Sequence, residues 1–410
     1  MGIILGEDRY KWRRGGQTVL DFYEFFAGGG MVRAGLGAGW RCRFANDIDQ
    51  AKARSYVENW GDKELCVRDV NSLEIANLPG RADLAWASFP CQDLSLAGNM
   101  RGMHEGTRSG VFWGFWRLMT GLSANGREPW VIALENVVGW LRANQGRDFA
   151  QVCELLTLEG YQVGAVVIDA ASFVPQSRPR VFMIAAHRDL EIPKWMQLPA
   201  PDADWAGQAV VDAYRQLSPS AQARWVWWRI PRPFKRDVSL EDIIENGMWD
   251  DKDKTEYLLS LMDPTNRQKV QSVQADGVRR AGTVYRRVRP HFGGKTQRAE
   301  VRFDGIAGCL RTPSGGSSRQ TILVVEGKQI HSRLLTIRET ARLMGLPDSY
   351  KLPARYNDGY HLTGDGVAVP AVRHIAEHIF EPLIVGKPIS IVPSIAGKVS
   401  KHRIKTLLES

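Results

Sequence analysis

The stretch Val19-Leu20-Asp21-Phe22-Tyr23-Glu24-Phe25-Phe26-Ala27-Gly28-Gly29-Gly30 decides the fold. Val19–Phe26 reads as a buried strand, a short apolar run closed by a turn signal. The glycines turn the chain, and Met31–Gly37 starts a helix. The same outline recurs down the first half. Phe44–Asp47 reads as a second strand ending in an acid, Asp83–Ser88 as a third and Trp130–Leu134 as a fourth. Tyr161–Ala170 and Arg180–Ala186 read as two more, able to pair as a hairpin. Strands alternating with helical stretches predict βα units around a mostly parallel sheet, an α/β fold.

The 410-residue chain carries 54 lysines and arginines against 45 aspartates and glutamates, a formal charge of +9, with 44% hydrophobic and 24% charged residues. Those proportions exclude a disordered, collagenous or small disulfide-stapled protein. The length holds two or three domains with cores of their own. No run approaches the ~18 consecutive apolar residues of a membrane span, and MGIILGEDRYKWRRGG lacks the pattern of a signal peptide. The cysteines are Cys42, Cys66, Cys91, Cys153 and Cys309, an odd number with no CxxC pair. This argues against disulfides and a metal site and predicts a reducing cytoplasm.

After about Arg188 the pattern changes, as at a domain edge. Pro193, Pro199, Pro201, Pro219, Pro231 and Pro233 break the chain, and no strong helix or strand signal emerges. Residues 241–256 are acidic; 277–302 hold Arg279, Arg280, Arg286, Arg287, Arg289, Lys295, Arg298 and Arg302 against Glu300 alone. Order returns at Thr336-Ile337-Arg338-Glu339, a capping box that starts a helix running to Met344 and stopping at Gly345. A loop, Thr363-Gly364-Asp365-Gly366, and a last helix, Pro370–Phe380, follow. The tail beyond Lys387 is basic and reads as a solvated appendage.

Four features lie at strand ends, where open α/β sheets place ligands. The first is Phe26-Ala27-Gly28-Gly29-Gly30, whose glycines let the backbone approach a ligand. It is not the dinucleotide fingerprint, since the third glycine position is Arg33. The second is Asp47, able to accept ribose hydroxyls, with a helix N-cap its plainer role; Asp69 shares that ambiguity. The third is Phe89-Pro90-Cys91-Gln92, a cysteine at a strand end before the glycine-containing stretch Asp93–Ser109 that could close over a ligand. Cys42, Cys66 and Cys153 read instead as inert core thiols. The fourth is Glu135-Asn136-Val137: an acid directly after a buried strand is costly without a partner or a task. A buried carboxyl tends towards a raised pKa, which suits proton sharing. Gln176-Ser177-Arg178-Pro179-Arg180 adds two arginines that a strand would point to one face.

These residues, in this order, resemble the C5-cytosine DNA methyltransferase family of bacterial restriction–modification systems. The resemblance runs from Glu24–Gly30 through Pro90-Cys91-Gln92, Glu135-Asn136-Val137 and Gln176-x-Arg178-x-Arg180. It resumes at Arg338–Gly345 and Gly364-Asp365-Gly366-Val367. It implies a Rossmann-like methyltransferase domain built from 1–187 and 326–410, completed by a smaller, irregular target-recognition domain over 188–325. It implies a cytosine flipped out of the duplex, Cys91 adding to carbon 6, and methyl transfer from S-adenosylmethionine to carbon 5, leaving S-adenosylhomocysteine. By the same resemblance Glu135 holds the ring, and Arg178 and Arg180 position the base and its phosphate.

The resemblance assigns the cofactor to Phe26, Gly28, Gly30, Asp47, Ile48, Asp69, Val70, Pro90, Asp365 and Val367. Ile48 stands where the family often has an aromatic residue, and Asp365-Gly366 where it has Asn-Ser. Cys309-Leu310 replaces its Thr-Leu. DNA contacts fall to Gln92, Arg101, Arg286, Arg287, Arg289, Arg298, Arg311 and Arg319, with the basic run gripping phosphates. Trp225-Val226-Trp227-Trp228 reads as core, not a stacking platform. The implied partners are double-stranded DNA and a separately acting restriction endonuclease; the enzyme is expected to be a cytoplasmic monomer without a metal. An RNA cytosine methyltransferase and a non-catalytic DNA-binding relative are the alternatives. The length of 188–325 weighs against the first, and the presence of Cys91 and Glu135 against the second.

Overall fold

The computed structural model describes residues 19–90, 110–245, 247–291, 294–311 and 319–386, with side chains described throughout these ranges except at 289–291. Among the described residues no helix is long and apolar enough to cross a membrane. The chain divides into two compact units. Of the described residues, the first holds those within 19–90, 110–168, 179–232 and 371–386, and the second those within 169–178 and 233–370. These edges differ from those expected at 187/188 and 325/326. Residues 188–232 pack within the first unit, and 326–370 within the second.

The first unit runs β1 (Leu20–Phe25), α1 (Met31–Leu36), β2 (Trp40–Asp47), α2 (Gln50–Trp60), β3 (Leu65–Val67), β4 (Leu84–Ala87), α3 (Val111–Ala124), β5 (Val131–Val137), α4 (Arg147–Leu158), β6 (Tyr161–Asp169) and β7 (Pro179–His187). The strands form one seven-stranded sheet ordered β3-β2-β1-β4-β5-β7-β6. β1 pairs parallel with β2 and β4, and β4 parallel with β5; β7 alone is shown antiparallel, against β5. This is the expected parallel-rich α/β sheet. Every residue of β1 and β4 is buried, as strands covered on both faces require. Strand order reverses between β1 and β4, the switch point where such sheets open a crevice at their carboxyl ends.

Two expectations shift here. β5 was expected to end at Leu134, but continues through Glu135-Asn136-Val137, because Val137, Asn136 and Glu135 pair with Arg180, Val181 and Phe182 of β7. Trp225–Trp228 is core: Val226 and Trp228 are buried, while Trp225 and Trp227 pack partly buried against the main apolar cluster. Trp227–Trp228 forms a short strand, β9, paired with β8 (Gln197–Leu198). α5 (Gln208–Arg215) and α6 (Pro219–Gln222) lie between them in the chain.

The second unit corrects the expected irregularity. α7 (Leu240–Ile243), α8 (Lys252–Ser260) and α9 (Pro264–Asp276) precede a four-stranded antiparallel sheet. Its strands are β10 (Arg280–His291), β11 (Gly294–Arg302), β12 (Thr321–Glu326) and β13 (Gln329–Leu334), in order β11-β10-β12-β13. Val284, Ala299, Val301, Leu323 and Val325 meet Leu258 of α8, Met262 between the helices, and Val270 and Val273 of α9 in an apolar core. Pairing with β12 covers only 280–284 of β10, whereas β11 follows it from Thr283 to His291. The basic run is therefore a two-stranded ribbon.

α10 (Ile337–Leu343) starts with the predicted capping box. Thr363–Asp365, expected as loop, is the last turn of α11 (Tyr356–Asp365). The last helix begins as α12 (Val369–Ile375), widens to a π turn at Ala376–Phe380 and ends as α13 (Glu381–Val385).

Glu339 is fully buried and accepts from Arg333 Nη1 at 2.7 Å and Nη2 at 2.6 Å, and from the backbone of Thr336 and Glu245, each at 2.7 Å. Glu339→Ala leaves the Arg333 charge buried and alone, and should destabilise this unit by about 3–5 kcal/mol. Thr336→Ala, which removes the cap and a hydrogen bond to Glu245 Oε2 at 3.1 Å, should cost less, about 1–2 kcal/mol. Denaturant unfolding of both variants checks the ranking; equal losses would contradict it.

Candidate active site

The turn after β1 is wound into the left-handed region at Phe26 (φ 58°), Gly28 (φ 55°) and Gly30 (φ 77°). Glycine adopts that region freely; at Phe26 the side chain makes it cost about 1–2 kcal/mol. β2 supplies the anchors. Ala27 N–H donates to Asn46 O at 2.9 Å, and Gly28 N–H to Asp47 Oδ2 at 2.7 Å. The Asn46 amide is itself fixed, donating to Cys66 O at 2.9 Å and Arg68 O at 2.8 Å.

Asp47 is not the helix cap. Asp49 caps α2, accepting from Ala51 N at 2.7 Å and Lys52 N at 3.1 Å. Asp47, 8% exposed, aligns the glycine turn instead. Between them Ile48 leaves 65% of its surface exposed. Asp69 does cap, accepting from Asn71 N at 2.9 Å, and the following Val70 is buried. The turn, Asp47 with Ile48, and Asp69 thus follow the ends of β1, β2 and β3, three neighbours in the sheet. Charged oxygens and an uncovered aliphatic side chain beside an open backbone turn suit a nucleoside.

Beneath the turn, Glu24 of β1 is fully buried. Burial pushes its carboxyl up to about 8, against the opposing pull of Arg33.

Phe89 is buried against Phe112 and Trp140, with ring centroids 5.4 and 5.5 Å away, and Pro90 follows it exposed. Cys91, Gln92, Arg101 and the rest of 93–109 lie outside the described residues. Asn136 reaches this segment from β5, its Nδ2 donating to Phe89 O at 3.0 Å. That link ties the Glu135 strand to a carbonyl two residues before Cys91. Glu135 itself is 6% exposed and pairs with Arg180 Nε through Oε1 at 3.1 Å. The partner that a buried acid requires is therefore Arg180.

Of the two arginines in the Gln-x-Arg-x-Arg segment, Arg180 lies on β7, whereas Arg178 precedes its start at Pro179. Arg178, 2% exposed, donates to Leu310 O at 3.0 Å, Gly364 O at 2.8 Å, Gly366 O at 2.6 Å and Cys309 Sγ at 3.4 Å. It fastens this chain's own loops. Gln176 does the same, donating to Leu343 O at 2.7 Å and accepting from Leu310 N at 3.0 Å. Asp169 accepts from Arg178 N at 2.6 Å and Ser177 Oγ at 3.1 Å. Asn136, Gln176 and Asp169 were not singled out in the sequence, although two of them sit inside motifs already marked. Asp365 is exposed at the end of α11, and Val367 is buried.

Of the arginines expected at DNA, Arg286 is half-buried, Arg287 is exposed and 3.4 Å from Glu300, and Arg298 lies directly opposite Arg287. Arg311 is exposed; Arg319 lies over Tyr356 and donates to Asn357. The Arg289 side chain lies outside the described ones, as do residues 312–318 and the tail from 387. Cys42 and Cys153 are buried, and burial raises both thiols, Cys42 to about 12. That suits inert packing. Among the described residues no cluster of His, Cys, Asp and Glu is arranged to hold a metal.

The family model described as C-5 cytosine-specific DNA methylase matches residues 20–381. The Type II methyltransferase M.NlaX of Neisseria lactamica is 24% identical over 88% of this chain and 96% of its own. The Type II methyltransferase M.HhaI of Haemophilus parahaemolyticus is 26% identical over 88% of this chain and 94% of its own. Among solved structures, the Entamoeba histolytica methyltransferase EhMeth superposes with a TM-score of 0.57 at 15% identity, covering 90% of this chain and 99% of that one. This last likeness speaks to the fold.

Because Glu24 binds its proton more tightly folded than unfolded, its contribution to stability is complete below about pH 4.5 and is lost as pH rises towards about 8. Melting temperatures across that window should fall less steeply for Glu24→Gln than for the unaltered chain. Parallel curves would contradict the assignment.

Proposed function

The chain belongs to the C-5 cytosine-specific DNA methylases, and from that premise we propose that it methylates carbon 5 of a cytosine in duplex DNA. The observation that carries the reading is the Glu135–Arg180 pair, joined through Asn136 to the segment that leads into Cys91. Carbon 5 is a weak nucleophile. Addition of the Cys91 thiolate to carbon 6 makes it a strong one, and thiolate is also a good leaving group. Glu135 hydrogen-bonds ring nitrogen 3 and the exocyclic amine, which favours the addition, and Arg180 holds Glu135 towards the base. Loss of the carbon-5 proton and of the thiolate then restores aromaticity.

S-adenosylmethionine, when bound, supplies an electrophilic methyl group. The residues fit it. Phe26, Gly28 and Gly30 offer an open backbone turn, Asp47 a carboxylate for the ribose, and Ile48 an uncovered aliphatic face for the adenine. Asp69 and Val70 border the base, and Pro90 follows at the next strand end; Asp365 and Val367 are assigned by the resemblance alone. Arg178 acts here by holding the 309–310 and 364–366 segments in place.

Sequence reading falls to the β10–β11 ribbon, within the 188–325 stretch, and its arginines grip phosphates. The enzyme works as a monomeric cytoplasmic modification enzyme beside a separate restriction endonuclease.

Cys91→Ser should abolish methyl transfer from labelled S-adenosylmethionine to duplex DNA, and Glu135→Gln should slow it by about 100-fold or more. Full activity in the cysteine variant would sink the mechanism. RNA methylated in preference to DNA would overturn the substrate. Replacing Arg286, Arg287 and Arg298 with glutamine should flatten the dependence of log affinity on log salt by up to about 3, one for each phosphate no longer neutralised. An unchanged slope would move the DNA surface elsewhere.

A further inference from the structure

We infer that Trp60, at the end of α2, is a positioning residue for the cofactor turn, an inference that rests on the cofactor reading above. The turn is strained at Phe26, and such strain persists only where the surroundings over-determine it. Asn46 and Asp47 supply two anchors on its first residues.

The Trp60 indole adds an anchor on Gly29. Its Nε1–H donates to Gly29 O at 3.0 Å. The ring occupies the space over Gly30, where a β-carbon would come within 2.5 Å of Nε1 and 3.0 Å of Tyr56 Cε2. Gly30 is thus required twice, by its φ of 77° and by the indole. The ring is itself held. The Arg33 guanidinium lies over it, 5.1 Å from the centroid, and donates to Tyr56 Oη at 3.0 Å and Glu64 Oε2 at 3.5 Å. Arg33 belongs to α1, the helix the turn leads into. The indole therefore links the end of α2 to both the turn and the helix after it. A leucine in its place could neither donate to Gly29 nor attract the guanidinium.

The consequence is specific to the cofactor. A turn free to relax at Gly29 should offer a poorer bed to S-adenosylmethionine and to its product, while DNA binding is untouched. The test is calorimetry of S-adenosylhomocysteine on the full chain without DNA, for the unaltered protein, Trp60→Phe and Trp60→Leu. Trp60→Phe keeps the packing and loses the hydrogen bond, and should weaken binding about fivefold, the worth of one neutral hydrogen bond. Trp60→Leu should weaken it by about tenfold or more. The KM for S-adenosylmethionine should rise by the same factors and the KM for duplex DNA stay constant. The rise in melting temperature produced by saturating S-adenosylhomocysteine should shrink in the same order.

Wild-type affinity in both variants overturns the proposal. So does a DNA KM that rises as far as that of the cofactor, since that marks a general structural role. If Trp60→Leu fails to fold, Trp60→Phe still decides. No binding by the unaltered chain overturns the cofactor reading itself, and this inference with it.

Discussion

A carboxylate at the carboxyl end of a buried strand needs a cation, and the ion pair of Glu135 with Arg180 meets that need. The sheet is arranged to deliver it. β5 would end before Glu135 if it had only parallel neighbours, as its sequence led us to expect. The antiparallel β7 extends its ladder to Val137 and brings Arg180 alongside. The reversal of one strand thus brings Arg180, opposite Val137, within 3.1 Å of the buried Glu135 carboxylate. Desolvation makes the pair depend on geometry: either partner alone would be a costly buried charge. Asn136, next in the strand, passes that register on to Phe89 and the segment before Cys91.

The opposite flank of the switch point depends on backbone and not on charge pairing. There β1 ends in a turn that an aromatic residue, Phe26, enters in a left-handed conformation. Hydrogen bonds tie it to Asn46 and Asp47 of β2 and to Trp60 of α2. Asp47 carries two duties, aligning Gly28 and presenting a carboxylate beside the exposed Ile48. Under it lies Glu24, whose burial favours the protonated form. Strain, a buried acid and an uncovered aliphatic side chain within one turn are local inconsistencies of the kind that functional sites retain.

The strands of the first unit were legible because their residues are apolar in short runs, and burial on both faces leaves no alternation to misread. Polar chemistry hid what was missed. Glu135-Asn136-Val137 resembles a loop until β7 is known to pair with it. The β10–β13 sheet was missed because Arg280, Arg286, Arg287 and Arg298 are interspersed in β10 and β11 with the core residues Val284, Ala299 and Val301. Spacing suggested one role for Arg178 and Arg180, but only partners separate them: backbone carbonyls for the first, a carboxylate for the second. Cys91 stands the other way round, legible in sequence and outside the described residues.

The central claim is a covalent bond between Cys91 and carbon 6 of the target cytosine, and it can be trapped. In duplex DNA carrying 5-fluorocytosine, the proton normally lost from carbon 5 is replaced by fluorine, which cannot leave as a cation. With S-adenosylmethionine present, the account predicts a denaturant-stable protein–DNA adduct whose peptide maps to Cys91. An adduct at any other cysteine, or methylation of ordinary cytosine with no adduct on the fluorinated duplex, would contradict it.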